Sequence, residues 1–273
     1  MFSKLALIVS ATSAAEWNYE TNGADWPELT IADKTNECGN AAQSPINLVS
    51  LDSSDFDYKI YEADKDTFTK DYTNQFDANP AWNGHTYQTA LKLVADGGTA
   101  NTFSSQIAGD IFGADTTFDG QQFHFHSGSE HTVDGKRHDL EMHTVHYPPE
   151  TKSGFIAAAM GIIFSVEDYT AELSKAEEMV IDTFFDSLKW GDMTEEGPTV
   201  DIVTYGNLME MVDNKNRWIY KGSVTTPPCA TAVYWNVLST IYPVKQKHLD
   251  LFKKQLDRGE DGKLDELGNW REI

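Results

Sequence analysis

Short apolar or alternating runs recur along most of the chain, separated by clusters of glycine, proline, aspartate and asparagine. HTYQTALKLV (85–94), FDGQQFHFHS (118–127), LEMHTVHY (140–147), GFIAAAMGIIFSV (154–166), RWIYKGSV (217–224) and AVYWNVL (232–238) read as strands between turns. Two stretches carry the helical period instead. In YTAELSKAEEMVIDTFFDSL (169–188), Leu173, Val180, Ile181, Phe184, Phe185 and Leu188 recur at three- to four-residue spacing. KQKHLDLFKKQLDR (245–258) places Leu249, Phe252 and Leu256 on one stripe. No linker, repeat or low-complexity tract divides the chain after Trp17, so the pattern predicts one α+β domain dominated by sheet, with helices on its flanks.

Composition narrows the partners. The 273 residues hold 21 Lys and Arg against 43 Asp and Glu, a formal charge of −22. Nucleic acid is excluded as an expected partner, because phosphate backbones are bound by clustered Lys and Arg. Docking on anionic membrane is excluded on the same ground. The acidity leaves two readings open: a self-repelling surface that keeps the protein soluble and monomeric, or adaptation to high salt, where that repulsion is screened.

MFSKLALIVSATSAAE has the layout of a secretory signal, with Lys4 before the apolar Leu5–Val9 and a small-x-small site at Ser13-Ala14-Ala15. Residues 1–15 are thus expected to be a signal and 16–273 the functional domain, secreted or otherwise extracytoplasmic and, once processed, soluble. No other apolar run approaches the ~18 residues of a membrane span. Cys38 and Cys229 are the two cysteines. An even pair behind a signal suggests a disulfide, with two buried thiols as the alternative.

The candidate chemistry lies in QQFHFHSGSEHTVDGKRHDLEMHTVH (121–146), which holds six of the eight histidines. Residues i and i+2 of a strand share a face, so His124 and His126 point one way while Phe123 and Phe125 point into apolar packing. On the next predicted strand Glu141, His143 and Val145 share a face. If the two strands pair, His143 lies across from His124 and His126. Three imidazoles on one face match a catalytic zinc site with its fourth position open. Parity excludes His146 from that face, and His131 and His138 lie toward the connecting loop, so these three are expected in structural or exposed roles. A cupin-type metalloenzyme shares the H-x-H followed by Glu130, but its second motif is absent.

Beyond this run, Trp17-Asn18-Tyr19, QSPINL (43–48), NGH (83–85), QFHFHSGSEHTVD (122–134), LEMHTVH (140–146), SVTTPPC (223–229), Trp235 and NW (269–270) follow in order, and together they resemble the α-class carbonic anhydrases. The resemblance implies a large, mostly antiparallel central sheet and reversible hydration of CO2 to bicarbonate through zinc-bound hydroxide. It implies His124, His126 and His143 as zinc ligands, with Gln122 and Glu141 orienting ligand imidazoles. Thr225 would accept a hydrogen bond from the hydroxide and donate its own proton to Glu130. His85 would be the proton shuttle, with Tyr19 ordering solvent beside it. Val145, Ala159, Val224, Thr226 and Trp235 would line the substrate pocket, and Cys38 would be bridged to Cys229. Sulfonamides and small anions would be inhibitors, and no obligatory protein partner is implied.

Three positions depart from the family pattern. Ser127 stands where tryptophan is common, so packing behind the ligands is expected to differ. Ala159 replaces a larger valine at the pocket wall. The family pattern also runs further than the three residues after Trp270, which leads to the expectation of a shortened C-terminal segment. Carbonic-anhydrase-like domains that have lost zinc and serve recognition are the competing class; here the three histidines, Thr225 and Glu130 all remain.

Overall fold

Alternation along the predicted strands is realised in one ten-stranded sheet. The computed structural model describes residues 17–31, 34–49, 68–91, 101–113, 117–148, 154–192, 198–256 and 264–273; the expected signal lies outside them. In chain order the strands are β1 (Thr69–Tyr72), β2 (Ala81–Trp82), β3 (Tyr87–Ala90), β4 (Asn101–Ser104) and β5 (Thr117–Ser127). They continue with β6 (Leu140–Tyr147), β7 (Ala157–Ser165), β8 (Arg217–Ser223), β9 (Thr231–Leu238) and β10 (Tyr242–Pro243). The spatial order is β8-β9-β7-β6-β5-β3-β2; β4 also pairs with β5, β1 with β4 and β10 with β7. Pairing is antiparallel except where β9 and β10 run parallel to β7. The expected architecture, predominantly β with a mostly antiparallel sheet, is what forms.

The period of two divides the apolar side chains between two cores. Phe123, Phe125, Leu140, Met142, Ala158, Met160, Ile162, Phe164 and Tyr234 face the larger core. Ala157, Ala159, Ile163, Val233, Trp235 and Val237 face the smaller one on the opposite side. Strand β7 is buried along its whole length because both of its faces are covered, which is why its sequence reads as a continuous apolar run.

Five helices are present among the described residues: α1 (Gln106–Phe112), α2 (Lys175–Ser187), α3 (Tyr205–Met211), α4 (Gln246–Leu256) and α5 (Leu264–Leu267). Rings from α2, α3 and α4 cover the larger core. Phe123 stacks on Tyr205 at 4.8 Å, and Phe125 meets Phe185 at 6.0 Å and Phe252 at 5.9 Å. Helix α2 starts six residues later than Tyr169, where the periodic stretch begins. Thr170 N and Ala171 N both donate to Ile241 O, which holds that segment against β10, and Ser174 then caps the helix reciprocally with Glu177. Helices α1 and α3, each of seven residues, were not expected.

Asp182 fastens α2 to α4. It accepts from Lys245 Nζ at 2.6 Å and from His248 Nε2 at 2.7 Å, with Lys247 Nζ at 3.2 Å. Burial pushes this carboxyl up, but the three donors outweigh it and hold it well below the usual range. A carboxylate depressed in the folded state stabilises the fold above its unfolded pKa of about 3.9, and that contribution is lost as pH falls through the folded value. Asp182→Asn is therefore expected to cost about 1 kcal/mol at pH 7 in denaturant unfolding, the gap from wild type closing as pH falls below 4. A gap that stayed constant down to pH 2 would contradict the assignment.

Candidate metal centre

Strands β5 and β6 pair so that His143 lies opposite His124 and Glu141 opposite His126. All four therefore project to the smaller-core face, as the alternation predicts. The ring centroids are 5.0 Å apart for His124 and His126, 5.4 Å for His124 and His143, and 4.7 Å for His126 and His143. One nitrogen from each ring lies within 4.8 Å of the other two, a spacing that could hold a metal ion.

The opposite nitrogen of each ring is tied to an oxygen. His124 Nδ1 is 2.9 Å from Gln122 Oε1, His126 Nδ1 is 2.6 Å from Asn269 O, and His143 Nε2 is 2.9 Å from Glu141 Oε1. These acceptors fix the N–H on the far side of each ring and leave a lone pair facing the shared centre. His126 Nε2 is buried there with no hydrogen-bond partner. Burial, joined for His124 by its neighbouring rings, pushes the imidazoles below their ordinary value, His126 to about 4, so all three are neutral at pH 7. Neutral imidazoles with convergent lone pairs fit a divalent cation such as zinc.

A second layer of contacts holds these groups. Glu141 Oε1 also accepts from His131 Nδ1 at 2.7 Å, and Oε2 accepts from His131 N at 2.9 Å. Burial pushes the Glu141 carboxyl up, yet the His131 and His143 rings outweigh it and hold it well below the usual carboxylate range. Gly161 stands opposite His143 on β7, and a Cβ there would come within 2.9 Å of Glu141 Oε1, so the carboxylate needs glycine beside it. His131 Nε2 lies 2.7 Å from Tyr220 Oη, which donates to Ser44 Oγ at 2.8 Å.

Glu130 is fully buried, its Oε2 3.5 Å from His126 Nε2 and 3.7 Å from His143 Nδ1. Burial raises its pKa to about 7, against the pull of the His143 ring, the Thr225 hydroxyl and the Arg271 N–H. That N–H donates to Glu130 Oε1 at 3.0 Å. Val145 pairs with Ala159 across β6 and β7, and Ala159 pairs with Trp235 across β7 and β9, forming an apolar wall beside the rings. Val224 packs against it, and Trp235 approaches His143 at 4.8 Å. Half-buried Thr226 begins the turn through a cis Pro227–Pro228 bond to Cys229. Cys38 and Cys229 are disulfide-bonded, closing 191 residues of chain.

His85 and Tyr19 lie in a separate aromatic group. His85 stacks on Trp17 at 3.6 Å, with Tyr19 at 6.2 Å edge-on, and burial drives the His85 ring down to about 4. At Ser127, the backbone N–H donates to Asn269 Oδ1 at 2.8 Å and the carbonyl accepts from Asn269 N at 2.9 Å. The preceding Gly268 has φ +76°, and a Cβ there would fall 2.0 Å from Ser127 O. His131, His138 and His146 are all buried, so none takes the exposed role held open for them. His146 turns to the larger core and bonds Tyr72 Oη at 2.8 Å.

Asn269, Arg271, Tyr220 and Ser44 were not singled out from sequence as parts of the site. Ser44 and Asn269 carried a signal only through the blocks QSPINL and NW, while Tyr220 and Arg271 lie outside every block, since each meets the site across a long stretch of chain. Tyr220→Phe is expected to leave His131 Nε2 without its partner in a buried position and to lower stability by about 1–3 kcal/mol in thermal or denaturant unfolding. An unchanged midpoint would show that the Tyr220–His131 contact contributes nothing.

Comparison with known proteins gives a consistent result. The model of the family described as eukaryotic-type carbonic anhydrase matches residues 22–273. A carbonic anhydrase of Klebsiella pneumoniae is 33% identical over 234 residues, covering 84% of this chain and 78% of the relative. Among solved structures, dioscorin complexed with ascorbate superposes with a TM-score of 0.65 at 23% identity, over 94% of this chain and 93% of that one. The α-carbonic anhydrase of Thermovibrio ammonificans in complex with the inhibitor sulfanilamide gives 0.60 at 24% identity, over 92% and 95%. At such identities the two structures speak to the fold alone.

Proposed function

The chain belongs to the eukaryotic-type carbonic anhydrase family, and from that premise we propose that it is a zinc enzyme interconverting CO2 and bicarbonate, with His124, His126 and His143 as the ligands. The observation that carries this reading is the convergence of three neutral imidazoles on one point, with His126 Nε2 buried and unpartnered there. Zinc, when bound, supplies a Lewis acid that makes water acidic near neutral pH, a property for which carbonic anhydrases are themselves the reference case.

The chain's own residues do the rest. Gln122, Asn269 O and Glu141 hold the ligand rings in the tautomers that present lone pairs. In its ionised form Glu130 accepts a hydrogen bond from the Thr225 hydroxyl, which leaves the Thr225 oxygen facing the site as an acceptor and favours a reacting group that has a proton to give. The wall of Val145, Ala159, Val224 and Trp235, with Thr226 at its mouth, offers CO2 an apolar surface and excludes water. Ala159 leaves this wall wider than a valine would. His85 relays the released proton to buffer, helped by Tyr19. Stacked on Trp17 its ring is held too acidic for that exchange, so the relay works when the ring leaves Trp17 and regains a pKa near 6.5. Sulfonamides and small anions would compete at the open face. The disulfide favours an oxidising, extracytoplasmic location.

Purified protein is expected to carry about one zinc per chain and to hydrate CO2 rapidly in stopped flow, with activity lost to a chelator and restored by zinc. A zinc-loaded but inert protein would favour the non-catalytic recognition class instead. His143→Ala should abolish zinc retention. His85→Ala should slow turnover at low buffer and leave it near wild type at high buffer; equal rates in both would remove the relay role.

A further inference from the structure

Arg271 stands between two parts of the molecule that the proposed reaction needs in register. Its backbone N–H donates to Glu130 Oε1 at 3.0 Å. Its guanidinium is spread over the segment that carries Cys38: Nη2 donates to Cys38 O at 2.9 Å, and Nη1 donates to Gln43 Oε1 at 2.8 Å and to Ser44 O at 2.9 Å. The side chain is almost entirely buried. The same segment is fastened to the turn after Thr225. The disulfide joins Cys38 to Cys229, Glu37 N donates to Pro228 O at 2.9 Å, Gln43 Nε2 donates to Cys229 O at 3.3 Å, and Cys229 N closes the turn on Thr226 O at 2.8 Å.

Glu130 and Thr225 are 95 positions apart in sequence, and no strand ladder runs directly between them. A closed circuit does connect them, passing from Glu130 through Arg271 to the Cys38–Ser44 segment and back to Thr225 by two routes, the disulfide and the paired Ser44–Ser223 bonds of 2.8 and 3.0 Å. An arginine fork spread over fixed acceptors is well suited to such a joint, because its planar donors lose little freedom on binding. We propose that Arg271 is a positioning residue that sets Glu130 against Thr225, with the disulfide-anchored segment as its base. The inference deepens the Thr225–Glu130 reading given above and rests on it.

The test is ligand discrimination by the zinc-loaded protein. With the Thr225 proton committed to Glu130, the threonine oxygen can only accept, so a sulfonamide, which has an N–H to donate, is favoured over thiocyanate, which has none. Arg271→Met keeps the backbone N–H and much of the stem but removes the guanidinium. It should narrow the sulfonamide-to-thiocyanate affinity ratio about tenfold, the loss of one charge-assisted positioning contact, with zinc content unchanged. The double variant Cys38→Ser, Cys229→Ser should narrow the ratio in the same direction but by less, since the Ser44–Ser223 bonds remain, and the triple variant should narrow it no further than Arg271→Met alone, because both act on one circuit. If Arg271→Met does not fold, Gln43→Ala removes one acceptor of the guanidinium together with the Gln43–Cys229 bond, leaves the other two acceptors, and should give a smaller narrowing. A ratio equal to wild type in the variants that fold, with only the melting temperature lowered, would reduce Arg271 to a structural role and overturn the proposal. Fully additive effects would also overturn it. Lack of CO2 hydration by zinc-loaded wild type would instead strike the underlying functional reading, and the two failures are therefore distinct.

Discussion

The register of β5 on β6 is the constraint from which the rest of the site follows. It puts His143 opposite His124 and Glu141 opposite His126, and a one-residue slip of β6 against β5 would turn His143 and Glu141 away from His124 and His126 toward the aromatic core. Leu140 and Met142 hold that register from the other side, because the same slip would carry them out of the larger core, away from Phe123 and Phe125, and onto the face of the site. The shift in pairing between Val145 and His146 marks the far end of this arrangement. The core that makes the fold and the face that makes the site are therefore two consequences of one alternation.

Burial then divides labour between two carboxyls that share a small volume. Both Glu130 and Glu141 are fully enclosed, and burial pushes each of them up. Glu141 is bracketed by the rings of His131 and His143 and stays firmly ionised, as suits a group that holds a ligand tautomer. Glu130 has weaker support and sits near neutrality, at about 7. Each depends on nearby backbone: Gly161 leaves space beside Glu141, and the Arg271 N–H donates to Glu130. The site is polar inside an apolar shell, and the atoms left without a hydrogen-bond partner include His126 Nε2 and Glu130 Oε2, both at the shared centre.

The strand runs at 118–127 and 140–147 were legible because alternation leaves one periodic signal, and the observed strands coincide with them to within a residue. Helices α1 and α3 were not, since seven residues carry too few turns for a period to emerge. The late start of α2 was hidden for another reason: backbone bonds from Thr170 and Ala171 to Ile241 compete with the helix over its first predicted turns. His131 could be placed only as a loop histidine, since its two partners, Glu141 and Tyr220, lie on separate strands.

Local order in the chain thus settled what each strand shows to either side: three histidines and a glutamate on one face, aromatic residues on the other. A two-residue period is written into neighbouring positions and needs no knowledge of the fold. The partners of His124 and His143, Gln122 and Glu141, lie two residues away on the same strands, but the rest of what holds the site was settled only in three dimensions. The carbonyl on His126 comes from Asn269, 143 residues away, and the N–H on Glu130 from Arg271, 141 residues away. The ring stacked on His85 belongs to Trp17. Backbone carbonyls and N–H groups are present at every residue, so no side-chain pattern marks the ones that the folded chain will bring to a buried imidazole.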